Sequence, residues 1–259
     1  MPRFSANIST LFGERPMLER FAAARRAGFE AVEIQFPYDQ DPGALKAAKD
    51  EAGVEVVLIN MPAGDPAAGG RGLAALPGRE AEFRASLDEA LRYAAALDCR
   101  QIHPLAGVTA NGADHDAHQA VLAENLAHAA EAAERAGVRV LVEAINSRDV
   151  PGYILDTADK ALAAIDRAGH ANLYFQCDVY HLQAAEGDAL GRLDALLGRT
   201  GHIQFADHPG RHEPGSGEID FSRIFDALDA SGYEGWAGAE YNPSGITEDS
   251  LGWFAPWRA

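Results

Sequence analysis

Short apolar runs alternate with longer amphipathic stretches from one end of the chain to the other. Runs at 4–8, 31–34, 54–59, 101–103, 139–143, 173–178, 202–206 and 235–240 are rich in Val, Ile, Leu, Phe and Ala, and their lengths predict strands. VEVVLI at 54–59 is almost continuously apolar, as a parallel strand covered on both faces requires. Between the runs, apolar positions recur at helical spacing over 16–27, 42–52, 79–97, 114–136, 157–168, 188–197 and 221–230. Gly28, Gly53, Gly137, Gly169 and Gly232 stand where helices should stop. Strand-to-helix units of roughly 25–40 residues, eight in number, predict an α/β chain folded as one (β/α)8 barrel over 1–259. A doubly wound open sheet would bring a glycine fingerprint after the first strand, and STLFG at 9–13 is not one. The tail at 246–257 has room for one short helix, and its Trp253, Phe254 and Trp257 would cover the barrel's base or serve a homo-oligomer interface.

Composition narrows the partners. With 259 residues and 47% hydrophobic content the chain can bury a large core. A formal charge of −17 argues against nucleic acid, whose phosphates need a basic stripe. A small anionic substrate would need a local positive centre. Cys99 and Cys177 both sit in apolar segments and read as buried free thiols. The start, MPRFSANIST, lacks the apolar region of a signal peptide, and no apolar run approaches membrane-spanning length. A soluble, cytoplasmic protein is expected.

Four consecutive runs of the second half end in groups able to bind a cation: Glu143, Asp178, Gln204 and Glu240. In a barrel these strand ends converge on one side of the same mouth. One strand-terminal acid is often only a helix cap or an ion-pair partner, whereas four in register argue for a site. Three carboxylates and an amide suit a hard divalent cation, Mg²⁺ or Mn²⁺, better than Zn²⁺. The run at 202–206 then breaks into a polar loop holding His208, Arg211, His212 and Glu213. The two histidines read as polar loop residues, because no third nitrogen ligand stands nearby. Asn7 and Asn60 point to the same rim and would bond either substrate or local backbone. GGRG at 69–72 follows no strand directly, so it reads as a flexible lid and not as a phosphate loop.

FSANISTLF, GFEAVEIQFPYD, MPAGDPAAGGRGLAALPGRE, EAINSRDVPGY, DVYHLQ, ADHPGRHEPGSGEID and GWAGAEYNPSG together resemble the hydroxypyruvate isomerase family of the xylose-isomerase-like TIM barrels. The resemblance covers nearly the whole chain. It implies that Glu143 and Glu240 are the proton donor and acceptor, and that Glu143, Asp178, Gln204 and Glu240 bind a divalent cation. His103 departs from the pattern, where a smaller amide is expected. The implied reaction interconverts hydroxypyruvate and tartronate semialdehyde, a step of glyoxylate-related metabolism, by moving a proton between adjacent carbons through an enediolate. Two carboxylates on opposite sides of a three-carbon acid would exchange the proton, and a cation would steady the oxygens. Each glutamate should give the metal at most one oxygen, because metal binding weakens a base. The site would stay net negative, so a cation must meet the anionic substrate; Arg211 and His181 are the candidates, as substrate-binding residues with Asn7 and Asn60. A 2-oxo-tetronate isomerase and a non-catalytic sugar- or acid-binding barrel are the alternatives. An apurinic endonuclease would need zinc-binding histidines and a basic face, which are missing.

Overall fold

The apolar runs and the amphipathic stretches become walls and cover of one barrel. The structure is a computed structural model and describes residues 2–65, 70–109 and 114–257. The strands are β1 (Arg3–Asn7), β2 (Ala31–Ile34), β3 (Glu55–Asn60), β4 (Gln101–His103), β5 (Arg139–Glu143), β6 (Leu173–Asp178), β7 (Thr200–Phe205) and β8 (Trp236–Ala239). Each pairs in parallel with the next, and β8 pairs with β1 to close the ring. Around them run α1 (Met17–Arg26), α2 (Pro42–Ala52), α3 (Glu80–Leu97), α4 (His115–Arg135), α5 (Ala158–Ala168), α6 (Val179–Glu186), α7 (Ala189–Leu197) and α8 (Phe221–Ser231).

Local chemistry sets the helix ends. Asp41, Asp114, Thr157, Asp188 and Asp220 each accept backbone N–H groups of the first turn. Gly53 ends α2 at φ +66°, a conformation that a β-carbon would penalise. The predicted strands and helices are borne out with ends shifted by one or two residues; β8, for example, stops at Ala239 and leaves Glu240 just beyond it. The addition is α6. It follows β6 with no intervening loop, and its buried Val179, Tyr180, His181, Leu182 and Ala184 erase the amphipathic pattern that would have announced it.

The core lies between the outer strand faces and the helices. A 3₁₀ segment, Thr247–Trp257, ends the described chain. Its Trp253, Phe254 and Trp257 meet Phe4 of β1 at ring separations of 5.4, 5.9 and 5.9 Å, and Phe254 stacks on Phe29 at 4.4 Å. The tail therefore lies along the outer barrel wall and not across its base. Cys99 and Cys177 are buried and free, as expected.

Candidate active site

At the carboxyl ends of the strands the barrel is filled with polar side chains. Glu143 and Asp178 end β5 and β6, Gln204 lies on β7 opposite Asp178, and Glu240 follows β8. All four are buried, at 5, 4, 2 and 4% exposure, so each must replace its lost water with protein partners.

Glu240 does so fully. Its Oε1 accepts from Asn7 at 2.8 Å, Gln35 at 2.7 Å and Gln204 at 3.3 Å, and its Oε2 from Arg211 at 2.5 Å. Burial still pushes the carboxyl up to about 7, with Arg211 pulling the other way. Beneath it Glu33, inside the barrel, accepts from Ser5, His202 and Gln204, each at 2.7 Å. Burial would raise the Glu33 carboxyl, but His202, Gln204 and Ser5 outweigh it and hold it below the ordinary range. Gly238 makes the room: a β-carbon there would collide with Glu33 Oε1. Gln204 thus donates to two carboxylates while its own oxygen accepts from Gln176 at 2.5 Å.

Glu143 is poorer in donors. Gln176 bonds it, and burial with the nearby Asp178 and Glu240 raises its carboxyl well above the ordinary value. Burial also raises Asp178, against Arg211 and the N–H groups of Tyr180 and His181. His103 Nδ1 lies 3.4 Å from Glu143 Oε2. Burial lowers His103 to about 3, so this is a contact of a neutral ring and not an ion pair.

Glu143, Asp178 and His181 present one ligand atom each within 4.8 Å of one another, a grouping that could hold a metal ion. The two carboxylates fit a hard cation, which would relieve their mutual repulsion. His181 is set up differently. Asn146 Oδ1 accepts from the N–H groups of Arg148 and Asp149, so its Nδ2 faces His181 Nδ1 at 2.7 Å. That arrangement leaves the His181 proton on Nε2, 3.7 Å from Asp178 Oδ2. In this tautomer His181 donates toward the site instead of ligating.

Asp207, fully buried, organises the loop after β7. Its carboxylate accepts from the N–H groups of His208, Gly215, Gly217 and Ile219 at 2.8–3.1 Å. Arg211 sits at φ +57°, its N–H bonded to Asp207 O and its carbonyl to Asn242 N. The guanidinium is thereby aimed at Glu240 and, at 3.6 Å, at Asp178. His208 bonds Glu218 and His212 bonds the Asn242 carbonyl, so both are engaged with neighbouring groups of the loop and its surroundings. A cavity of about 210 Å³ opens above, lined by Asn60, Arg71, Glu143, His181, Arg211 and Glu240 among others. A larger one of about 470 Å³, at the opposite end of the barrel, is lined by the strand-starting residues Arg3, Glu55, Arg139 and Trp236 and reaches none of the four site residues.

The structure thus gathers Glu143, Asp178, Gln204, Glu240, His181 and Arg211, with Asn60 on the cavity wall and Asn7 bonded to Glu240 and, at 3.0 Å from its Oδ1, to the Ser9 N–H. Glu33, Gln35, Gln176, His202, Asp207 and Asn146 escaped sequence reasoning. A polar side chain inside an apolar strand, Glu33 in AVEI and His202 in GHIQF, was the available signal for two of them. Of the predicted lid at 69–72, Gly69 lies outside the described residues.

Residues 21–257 match the family described as the xylose isomerase-like TIM barrel. A 2-oxo-tetronate isomerase of Cupriavidus necator is 47% identical over 99% of both chains. The hydroxypyruvate isomerase of Escherichia coli is 44% identical over 100% of both. Among solved structures, one titled AP endonuclease, family 2, from Brucella melitensis superposes with a TM-score of 0.97 at 45% identity, over 100% of both chains.

Proposed function

Because the chain belongs to the xylose isomerase-like TIM-barrel family, we propose that it is an isomerase of a small 2-oxo acid, interconverting hydroxypyruvate and tartronate semialdehyde. The observation that carries this reading is the pair of buried glutamates, Glu143 and Glu240, on the wall of one small cavity. Their surroundings differ in the way an acid/base pair needs. Glu240, with four donors, is equipped to hold charge and take a proton from the hydroxymethyl carbon; Glu143, poor in donors, is equipped to give one to the neighbouring carbon. The second proton passes from the hydroxyl oxygen to the carbonyl oxygen, within reach of the His181 N–H. Glu143 and Asp178 would hold Mg²⁺ or Mn²⁺, whose chemistry when bound is to polarise the reacting carbonyl and hydroxyl; the oxygens of Gln204 and Glu240 beside them are already bonded to Gln176, Asn7, Gln35 and Arg211.

The cavity lies below the range of about 300–1,000 Å³ common for drug-sized ligands, as a three- or four-carbon acid requires. The name of the Cupriavidus relative supports a second reading, a four-carbon 2-oxo-tetronate as substrate, for which Glu143 and Glu240 would serve in the same way.

Proton NMR of hydroxypyruvate with the protein in D₂O, with Mg²⁺ or with EDTA, tests the reading. Tartronate semialdehyde carrying deuterium on carbon is expected. Glu143→Gln and Glu240→Gln should each lower the rate by about 10²–10⁴-fold. Absence of both conversion and exchange would turn the assignment to the four-carbon acids.

A further inference from the structure

The substrate carboxylate finds no free cation at Arg211. That guanidinium is bonded to Glu240 and lies 3.6 Å from Asp178, so its charge is balanced within the site. The reacting carbons must lie between Glu143 and Glu240 on the cavity wall, so the acid end of the substrate extends away from them along the cavity. Arg71 lines the same cavity from the loop after β3. The loops after β3 and β7 rise from strands four apart in the closed ring of eight, and Arg71 and Arg211 both line the cavity at that end of the barrel. Among the described residues no carboxylate pairs with Arg71, and its side chain is exposed.

The backbone around Arg71 is held on both sides. Gly72 N–H bonds Ala63 O at 3.0 Å, Gly70 N–H bonds Asp65 O at 2.9 Å, and Gly72 pairs with Ala106 of the next loop. A β-carbon at Gly72 would collide with the Leu105 carbonyl, and one at Gly70 would lie 2.8 Å from the Ala63 carbonyl. Two glycines let the chain pass this close, and the arginine between them is presented to the cavity.

We propose that Arg71 recognises the substrate carboxylate and makes the cavity selective for small 2-oxo acids over neutral sugars of the same length. The proposal rests on the isomerase reading for the reacting end of the substrate. A guanidinium matches a carboxylate with two parallel N–H donors, a geometry that lysine reproduces only in charge.

Calorimetric titration with glycerate, the unreactive reduced form of hydroxypyruvate, reads this subsite without turnover. Arg71→Ala is expected to weaken glycerate binding by about 10- to 100-fold, with Arg71→Lys between it and wild type. In kinetics the Arg71→Ala KM for hydroxypyruvate should rise far more than kcat falls. The preference for hydroxypyruvate over dihydroxyacetone, which carries a hydroxymethyl in place of the carboxylate, should shrink at least about tenfold. Equal glycerate affinity in Arg71→Ala and wild type, or a fall in kcat with KM unchanged, overturns the proposal, as does wild type that fails to bind glycerate. Arg71-dependent glycerate binding by a wild type that turns over no 2-oxo acid would overturn the isomerase reading and keep the carboxylate subsite.

Discussion

A buried carboxylate stays charged only where donors replace its water, and the site residues divide on that count. Glu240 and Glu33 are ringed by donors, whereas Glu143 is not. A pH dependence follows for the chelator-treated protein. The Glu240 carboxyl rises from 4.5 to about 7 on folding, so its stabilising contribution is complete below pH 4.5 and lost as the pH passes about 7. His103, lowered from 6.5 to about 3, contributes fully above pH 6.5 and loses its share as the pH falls toward 3. The two oppose each other from 4.5 to 6.5; above that range the carboxylate term governs. Scanning calorimetry should therefore show Tm falling from pH 6.5 toward about 8, and Glu240→Gln should flatten the decline. A wild-type Tm that rises over the same interval would contradict it. The four strand-end residues were legible because they recur at one place in each repeat. Glu33 and His202 were not, because a side chain pointing into the barrel and one pointing out look alike in a short apolar run.

Among the elements, the loop after β7 shows how a Gly-rich sequence becomes rigid. Asp207 gathers four backbone N–H groups, and a β-carbon at Gly217 would collide with the His208 carbonyl. Asp207→Ala leaves those donors without their partner and frees Arg211. A loss of about 2–4 kcal/mol in urea unfolding is expected, together with a lower kcat; wild-type stability in this variant would refute the bracing role. The polar residues after β7 mark the loop in the sequence, but nothing there singles out Asp207, whose carboxylate bonds backbone N–H groups that leave no trace in a sequence. DVYHLQ likewise reads as a motif and gives no sign of α6, where Asp178 ends a strand and caps a helix at once, accepting the Tyr180 N–H at 2.8 Å. Burial on nearly every side leaves such a helix no polar face to read.

For the molecule as a whole, the barrel was plain from alternation because every unit repeats the same covering of a parallel strand by a helix. The tail was not, since three aromatics name no surface to pack on. Their target is Phe4, which also meets Phe205 and Phe225 at 5.9 and 4.8 Å. Phe4→Ala should cost about 3–5 kcal/mol by denaturant unfolding, and a loss below about 1 kcal/mol would show the cluster to be dispensable.

The pairing of β8 with β1, and the seating of the last aromatics on the fourth residue, also set a timetable for synthesis. On the ribosome β1 waits with one unpaired edge and one uncovered face until β8 and the 247–257 segment have emerged. Growth in the N-to-C direction therefore makes the first strand of the barrel the last to be sheltered, and this is where a nascent-chain chaperone has the most to cover.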